Sequence, residues 1–339
     1  MEIRLLTRSE QVLPLGEFTS DTSVLSKRED TFTDSLVEYA ARLCYNSTGR
    51  MGDSPTFIRK RIEEGHEDVL EHGWIALSFT KMDYGEFINT IYWKHVAPHL
   101  HMFTPAGYCD EVIVSGNIRA WIQLLRTGLA PNDEILRRIG GVAPKSFGEF
   151  GEFEKRNDFP YQRMTTGTTD LGATVTMLGS TRYTGRDGDN IRHATFLFEK
   201  VSRAFTHQLV RHRTGSFSQE SQRYVESNGA SCVIPRSKNP EAVRLFREHM
   251  ESCTLLYKRL REMGELKEDA RGVLPTMAAT RIVMSGPHSM WRHFIWQRCH
   301  KSAQREIRLV ADEVLKMLSM SSNSFDHEQR TFSKGKICE

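Results

Sequence analysis

Residues 204–224 read Ala204-Phe205-Thr206-His207-Gln208-Leu209-Val210-Arg211-His212-Arg213-Thr214-Gly215-Ser216-Phe217-Ser218-Gln219-Glu220-Ser221-Gln222-Arg223-Tyr224, and the rest of the chain is organised around them. Val201, Phe205 and Leu209 recur every four residues, which predicts a helix with one apolar stripe. Ala204, Gln208 and Arg211 follow a neighbouring face. The pattern stops at Gly215, and Ser216, Ser218, Gln219, Ser221, Gln222 and Arg223 predict a polar loop rich in N–H donors, with Gly215 allowing a tight turn. Arg and His at a helix end also suit its carbonyls and dipole. That role accounts for one cation, not for Arg211, Arg213 and Arg223 together with two amides. Guanidinium groups grip phosphates bidentately, and Gln208, Gln219 and Gln222 suit the edge of a base. The residue chemistry points to a nucleotide or phosphate site.

The chain has 339 residues, 39% of them hydrophobic, enough for a sizeable core in one large domain or two ordinary ones. A net charge of +3 is too small to predict a nucleic-acid-binding face. No apolar run has the look of a signal peptide or the length of a membrane span, so no membrane partner is expected. The six cysteines are scattered without a Cys-x-x-Cys pair, which favours a reduced, cytoplasmic setting.

Taken in order, Ile3, Leu5 and Val12 predict opening strand structure. A helix is expected over Thr33–Tyr45, capped by Thr33 or Asp34, with Leu36, Ala40 and Leu43 as its stripe. Asn46–Ser54 reads as a polar turn, and Thr56–Glu64 as a helix stopped by Gly65. His66 and His72 flank three carboxylates, but six residues apart they do not share a helical face as a zinc pair would. Trp74–Phe79, Thr174–Leu178 and Ala194–Phe198 read as strands. Between residues 82 and 190, Asn117–Leu125 is expected to be helical and Phe147–Asn157 is polar and glycine-bearing. His95, His99 and His101 suit packing better than a metal. Glu241–Met263 is a long helix, and His288–Met320 reads as another, bent near Lys301. On it Trp291, Ile295 and Arg298 share a face, so Arg298 needs an anion, several acceptors or a core salt bridge.

The run Arg211-His212-Arg213, seven residues, then Ser221, flanked by His207–Val210 and Gln222–Tyr224, resembles the signature of flavin-dependent thymidylate synthases. Gly65–His72 resembles that family's flavin-holding element, and Trp291–Phe294, Arg298, Ala303-Gln304 and Glu306-Ile307 resemble its closing helix. The resemblance covers residues 33–80 and 190–318 and leaves 82–190 as an atypical insertion within one domain spanning 1–339. It implies an α/β (α+β) fold, with a mixed sheet packed against long helices, and a homotetramer with active sites between subunits. It further implies reductive methylation of dUMP to dTMP with 5,10-methylenetetrahydrofolate, FAD as hydride carrier and NADPH as reductant. By the same resemblance Gln208, Leu209, Val210, Arg211, Gln219, Glu220, Ser221, Gln222, Arg223, Arg271 and Arg298 hold dUMP, and Arg298 activates the uracil. His66, Asp68, Arg211, His212, Arg213, Gln219 and His293 border FAD, and no metal is implied.

Several positions depart from the family pattern. Asp68 stands where Ser or Thr is more usual, and Ser218-Gln219 where Asn and Glu are. Pro287-His288-Ser289 replaces a flavin-contacting Asn-x-Arg. Ser115-Gly116-Asn117-Ile118-Arg119-Ala120-Trp121 echoes Ser285-Gly286-Pro287-His288-Ser289-Met290-Trp291, so Asn117 and Arg119 are expected to take over those contacts. Ser221 reads as a binding residue, because His212 is expected to face packing rather than to activate it. The other classes are a nucleotide-binding or nucleic-acid-binding protein without flavin chemistry, a flavin-free thymidylate synthase using Cys299, and a metal hydrolase using the histidines.

Overall fold

Asp34 lies on a predicted helix start, yet its carboxylate is engaged by residues far along the chain. In the computed structural model, Asp34 accepts from Lys145 N at 2.8 Å and from Ser146 N and Oγ at 3.1 and 2.6 Å. Thr31 therefore caps the helix instead of Thr33 or Asp34, its Oγ1 accepting from Asp34 N at 3.3 Å. The structure describes residues 1–8, 10–14, 25, 30–52, 56–81, 84–104, 111–156, 162–164, 166–181, 188–227 and 231–333.

The elements are β1 (Glu2–Arg8), β2 (Glu10–Pro14), α1 (Phe32–Cys44), α2 (Phe57–Glu63), β3 (Trp74–Thr80), α3 (Tyr84–Val96), β4 (His101–Phe103), β5 (Glu111–Asn117), α4 (Ile118–Thr127) and α5 (Asn132–Ile139). Then come β6 (Gln162–Met164), β7 (Thr166–Thr168), β8 (Thr174–Ser180), β9 (His193–Ser202), α6 (Arg203–Leu209), β10 (Ser216–Gln219), α7 (Pro240–Glu262), α8 (Lys267–Ala270), β11 (Ala279–Pro287), α9 (His288–Arg298), α10 (Arg305–Ser321) and α11 (Asp326–Ser333). One sheet runs β1-β3-β5-β4; the other runs β10-β11-β9-β8-β2-β6, with β7 also paired to β8. Only β2–β6 is parallel among the described pairs, so the fold is mixed α/β with long helices, as expected. Among the described residues no helix is long and apolar enough to cross a membrane.

Residues 82–190 are woven into both sheets rather than appended to one: β4 and β5 complete the first, and β8 pairs with β9 in the second. The expected Asn117–Leu125 helix is α4, with Asn117 as its cap, Oδ1 accepting from Ala120 N at 2.8 Å. Residue 157 of the expected 147–157 stretch, and residues 53–54 of the expected 46–54 turn, lie outside the described residues; 3-10 turns occupy Gly148–Phe150 and Thr48–Arg50. α2 ends as expected at Gly65, whose φ of +79° only glycine adopts freely. The single helix expected over His288–Met320 is two, α9 and α10, separated by residues 299–304.

α1 lies between the sheets. Val37 and Ala41 join the core of the first, while Leu36, Ala40 and Leu43 pack against Leu178, Leu197 and Val283 of the second. At the junction Trp74 stacks on His193 at 4.5 Å. His72 bridges Ser285 Oγ at 2.7 Å and Ser218 Oγ at 2.9 Å. Burial pulls the pKa of His72 down to about 4 and that of His288 to about 3, and lowers that of His193 well below the usual histidine range.

The folded state thus prefers these rings neutral. Their contribution to stability is complete above the unfolded pKa of about 6.5; that of His72 is lost as pH falls through about 4, and that of His288 as it falls through about 3. Thermal melts between pH 7 and 4 should show a falling midpoint, and His72→Gln, which cannot take up this proton, should decline less steeply. A His72→Gln slope equal to that of the wild type would refute the assignment.

Candidate functional site

The site begins where β9 becomes α6. Ser202 caps α6, its Oγ accepting from Phe205 N at 3.0 Å. Glu306 of α10 holds that cap, receiving Ser202 Oγ at 2.6 Å and Ser202 N at 2.7 Å. Burial raises the Glu306 pKa, and the two Ser202 bonds oppose that rise. Phe205 and Leu209 are wholly buried. Val201, expected on the same helical stripe, belongs to β9 and reaches the same core from the strand. Leu209, expected among the residues that hold dUMP, has no exposed surface in this chain.

After Leu209 the chain turns sharply, with His212 N donating to Leu209 O at 3.1 Å and Gly215 N to His212 O at 2.9 Å. Residues 216–219, expected as loop, form the edge strand β10 against β11. A polar edge strand needs a partner on one side only, so its sequence carries little strand signal. Gly215 is not a left-handed residue. Its role is close approach: a Cβ there would meet Met284 Cε at 3.0 Å and His212 O at 3.2 Å.

Arg298, the last residue of α9, reaches back to this turn. Its Nε donates to His212 Nε2 at 3.1 Å and its terminal nitrogen to Gln208 O at 3.1 Å. Burial and then the neighbouring Arg211 depress its pKa, and it has no carboxylate partner among the described residues. The core salt-bridge alternative therefore has no counter-ion here. Because His212 Nε2 accepts, Nδ1 carries the hydrogen; that atom is buried without a partner. The His212 ring packs on Phe294 at 5.1 Å and His293 at 5.7 Å. Burial, Arg298 and His293 bring its pKa to about 4, so the ring is neutral and faces packing, as expected. Arg211, Arg213 and His293 are exposed beside it. Gln208 Nε2 donates to Ala204 O at 3.3 Å and also to Gln304 Oε1.

A second group surrounds Ser221. Ser221 N donates to Cys44 O at 3.0 Å, and its hydroxyl accepts from Arg223 N at 3.2 Å. Glu220 is held by Arg281 at 3.0 and 3.1 Å, and its carbonyl accepts from Arg203 at 2.9 Å. Arg223 pairs with Glu268 at 2.9 Å, and Arg271 donates to Glu268 O at 3.1 Å. Gln219 lies between the groups, donating to Thr206 Oγ1 at 3.3 Å and Thr280 Oγ1 at 3.4 Å. Gln222 is half-buried, and Val210 is exposed. Of the three arginines expected to converge, Arg223 is thus ion-paired to a carboxylate, while Arg211 and Arg213 have no such partner among the described residues.

His66 is exposed, its Nδ1 3.4 Å from Tyr45 Oη, and Tyr45 packs on Tyr224 at 4.8 Å. Asp68 is exposed near Cys44, whose thiol pKa is pushed up to about 11, chiefly by burial. Arg203, Arg281, Tyr45 and Tyr224 are the residues that sequence reasoning did not assign; only their proximity to the motif hinted at the first and last. Among the described residues no cluster of three or more His, Cys, Asp or Glu could hold a metal. Cavities of about 670 and 470 Å³ flank α7 around Arg247 and Glu251, away from these groups. They are shallow surface hollows, and the chemistry argues for the basic turn instead.

Residues 190–321 match the family model described as thymidylate synthase complementing protein. A flavin-dependent thymidylate synthase of Geobacter sulfurreducens is 42% identical over 134 residues, 38% of this chain and 58% of that protein. One from Corynebacterium glutamicum is 35% identical over 162 residues, 42% of this chain and 65% of that protein. One from Thermococcus onnurineus is 39% identical over 133 residues, 37% of this chain and 54% of that protein. The chain thus spans between about half and two thirds of the length of these relatives. The family match takes in α6, the basic turn, Ser221 and Arg298.

Removing the Glu306 carboxylate should loosen the seat of α6. Glu306→Ala leaves the Ser202 N–H and hydroxyl buried without acceptors, at a cost of about 1–3 kcal/mol. Urea denaturation measures the loss, and a midpoint equal to that of the wild type would contradict it.

Proposed function

We propose that this chain is a flavin-dependent thymidylate synthase that reductively methylates dUMP to dTMP, taking the one-carbon unit from 5,10-methylenetetrahydrofolate and reducing power from NADPH through FAD. The observation that carries the reading is Arg298: a half-buried guanidinium, fixed by His212 Nε2 and Gln208 O, with no carboxylate partner among the described residues. Such a group awaits an acceptor that a ligand can supply.

The chain's donors fit FAD. The buried Nδ1–H of His212 lacks an acceptor, and exposed Arg211 and Arg213 have no carboxylate within ion-pair distance among the described residues. Two uncompensated guanidinium groups suit a diphosphate. In this reading His66, Asp68, Arg211, His212, Arg213, Gln219 and His293 border FAD. Bound FAD supplies hydride transfer, which no side chain can perform.

Gln208, the backbone of Leu209 and Val210, Arg211, Gln219, Glu220, Ser221, Gln222, Arg223 and Arg271 hold dUMP. Arg298 presents its fork to the uracil ring and stabilises the charge that develops there. Ser221 binds and does not attack, since no histidine bonds to its hydroxyl among the described residues. Arg223 and Arg271 gather around Glu268, and in this reading the site is completed by a second chain. A homotetramer with sites between subunits and a cytoplasmic setting belong to the same proposal.

Purified protein should be yellow or reconstitute with FAD, oxidise NADPH, and make dTMP only with methylenetetrahydrofolate present; a protein that cannot take up flavin would end the proposal. Arg298→Ala should lose dTMP formation by about a hundred- to a thousandfold, the usual effect of removing one such donor, yet keep its FAD and the NADPH reaction without nucleotide. A rate within about threefold of wild type would make Arg298 a packing residue. Ser221→Ala should retain turnover, and a nucleotide adduct on Ser221 seen by mass spectrometry would overturn its assignment.

A further inference from the structure

The four-stranded sheet and the central part of the larger one repeat each other. The orders β1-β3-β5-β4 and β8-β9-β11-β10 are equivalent, and every neighbouring pair in both is antiparallel. The registers coincide as well. Trp74↔Asn117, Ile75↔Gly116 and Ala76↔Ser115 in the first correspond to His193↔Pro287, Ala194↔Gly286 and Thr195↔Ser285 in the second. On one edge His101↔Ser115 corresponds to Ser216↔Ser285. On the other edge both sheets break register at the same step, between Leu5 and Thr7 and between Met177 and Gly179.

The helices that follow repeat too. α4 begins directly after β5 and α9 directly after β11, with Ile118 N donating to Gly73 O at 3.0 Å and His288 N to Arg192 O at 2.9 Å. Trp121 Nε1 then donates to Ile75 O at 3.2 Å, and Trp291 Nε1 to Ala194 O at 3.0 Å. In each case the acceptors are equivalent residues. A topology recurs easily among unrelated folds; a shared register, bulge and buried tryptophan bond mark two copies of one unit. The copies meet at matching positions: equivalent residues Trp74 and His193 stack on one another at 4.5 Å.

Their chemistry has diverged. The second copy joins α6 to β10 through Arg211-His212-Arg213-Thr214-Gly215, whereas the first joins α3 to β4 through Ala97-Pro98-His99-Leu100, without an arginine. Conversely, α4 carries Arg119 where α9 carries Ser289. Arg119 donates to Glu71 Oε1 at 2.7 Å and lies 3.8 Å from Glu67, and Glu71 Oε2 accepts from Ser216 Oγ at 2.8 Å. The first copy therefore grips the second at the residue after Gly215.

We infer that the amino-terminal copy is a built-in partner that holds no phosphate site of its own, so that each chain carries one anion-binding turn, and that Arg119 positions this turn through Glu71 and Ser216. The nucleotide part rests on the function proposed above; the positioning part does not.

Hydrogen–deuterium exchange tests the positioning without any ligand. Arg119→Gln should speed exchange of residues 211–219 by about tenfold while β8 and β9 stay protected and the melting midpoint changes little. Arg119→Lys, which keeps the charge, should restore slow exchange, a rescue that lost packing alone would not give. Ser216→Ala removes only the last bond of the bridge and should reproduce the effect if Arg119→Gln folds poorly. Wild-type exchange in Arg119→Gln and Ser216→Ala would overturn the positioning role. Equilibrium dialysis with dUMP should saturate at one nucleotide per chain, and two per chain would overturn the single-site assignment. No binding at all would instead defeat the proposed function, and the exchange experiment would still decide the bridge.

Discussion

Among the described residues Arg298 is bonded only to neutral acceptors, a ring nitrogen and a backbone carbonyl. A guanidinium cannot shed its proton, so its partial removal from water must be offset by geometry. Much of the local structure provides that geometry. Glu306 holds Ser202, Ser202 starts α6, and α6 ends at the Gln208 carbonyl that receives Arg298. Gly215 lets β10 run close under Met284, and the return of the chain leaves His212 buried with Nε2 turned to Arg298. The neutrality of His212 belongs to the same arrangement: a protonated ring could not accept from the guanidinium.

The second constraint is the junction between the sheets. Uncharged polar contacts dominate it, with His72 between two serines, Ser115 donating to Asn190 O, and Trp74 over His193. Such groups fix one register, because a small slip leaves each of them without a partner. α1 fills the space beside them and sends apolar residues to both cores. The sheets therefore meet in one way, and Arg119 and Glu71 reach β10 as a consequence.

The expectations that held were local ones. The boundaries of α7, the stop of α2 at Gly65, the helix after Asn117 and the strand at Trp74 all follow from periodicity, caps and glycine, which act within a few residues. The face shared by Trp291, Ile295 and Arg298 was legible for the same reason. The expectations that failed depended on distant partners. Thr31 caps α1 because Ser146, far along the chain, claims Asp34. Residues 216–219 are a strand because β11 lies beside them, not because of their own preferences.

The sequence by itself determined the elements, the basic turn with its neighbouring amides, and the apolar face that carries Arg298. It also held a seven-residue echo, Ser115–Trp121 against Ser285–Trp291, too short to identify a repeat. Only the tertiary structure decided that the echo extends to register, bulge and tryptophan bond across two sheets. It alone decided that Arg223 pairs with Glu268. The physical reason is that strand register and side-chain ion pairs are set by contacts between residues far apart in sequence, whereas helices and turns are set by residues that are neighbours along it.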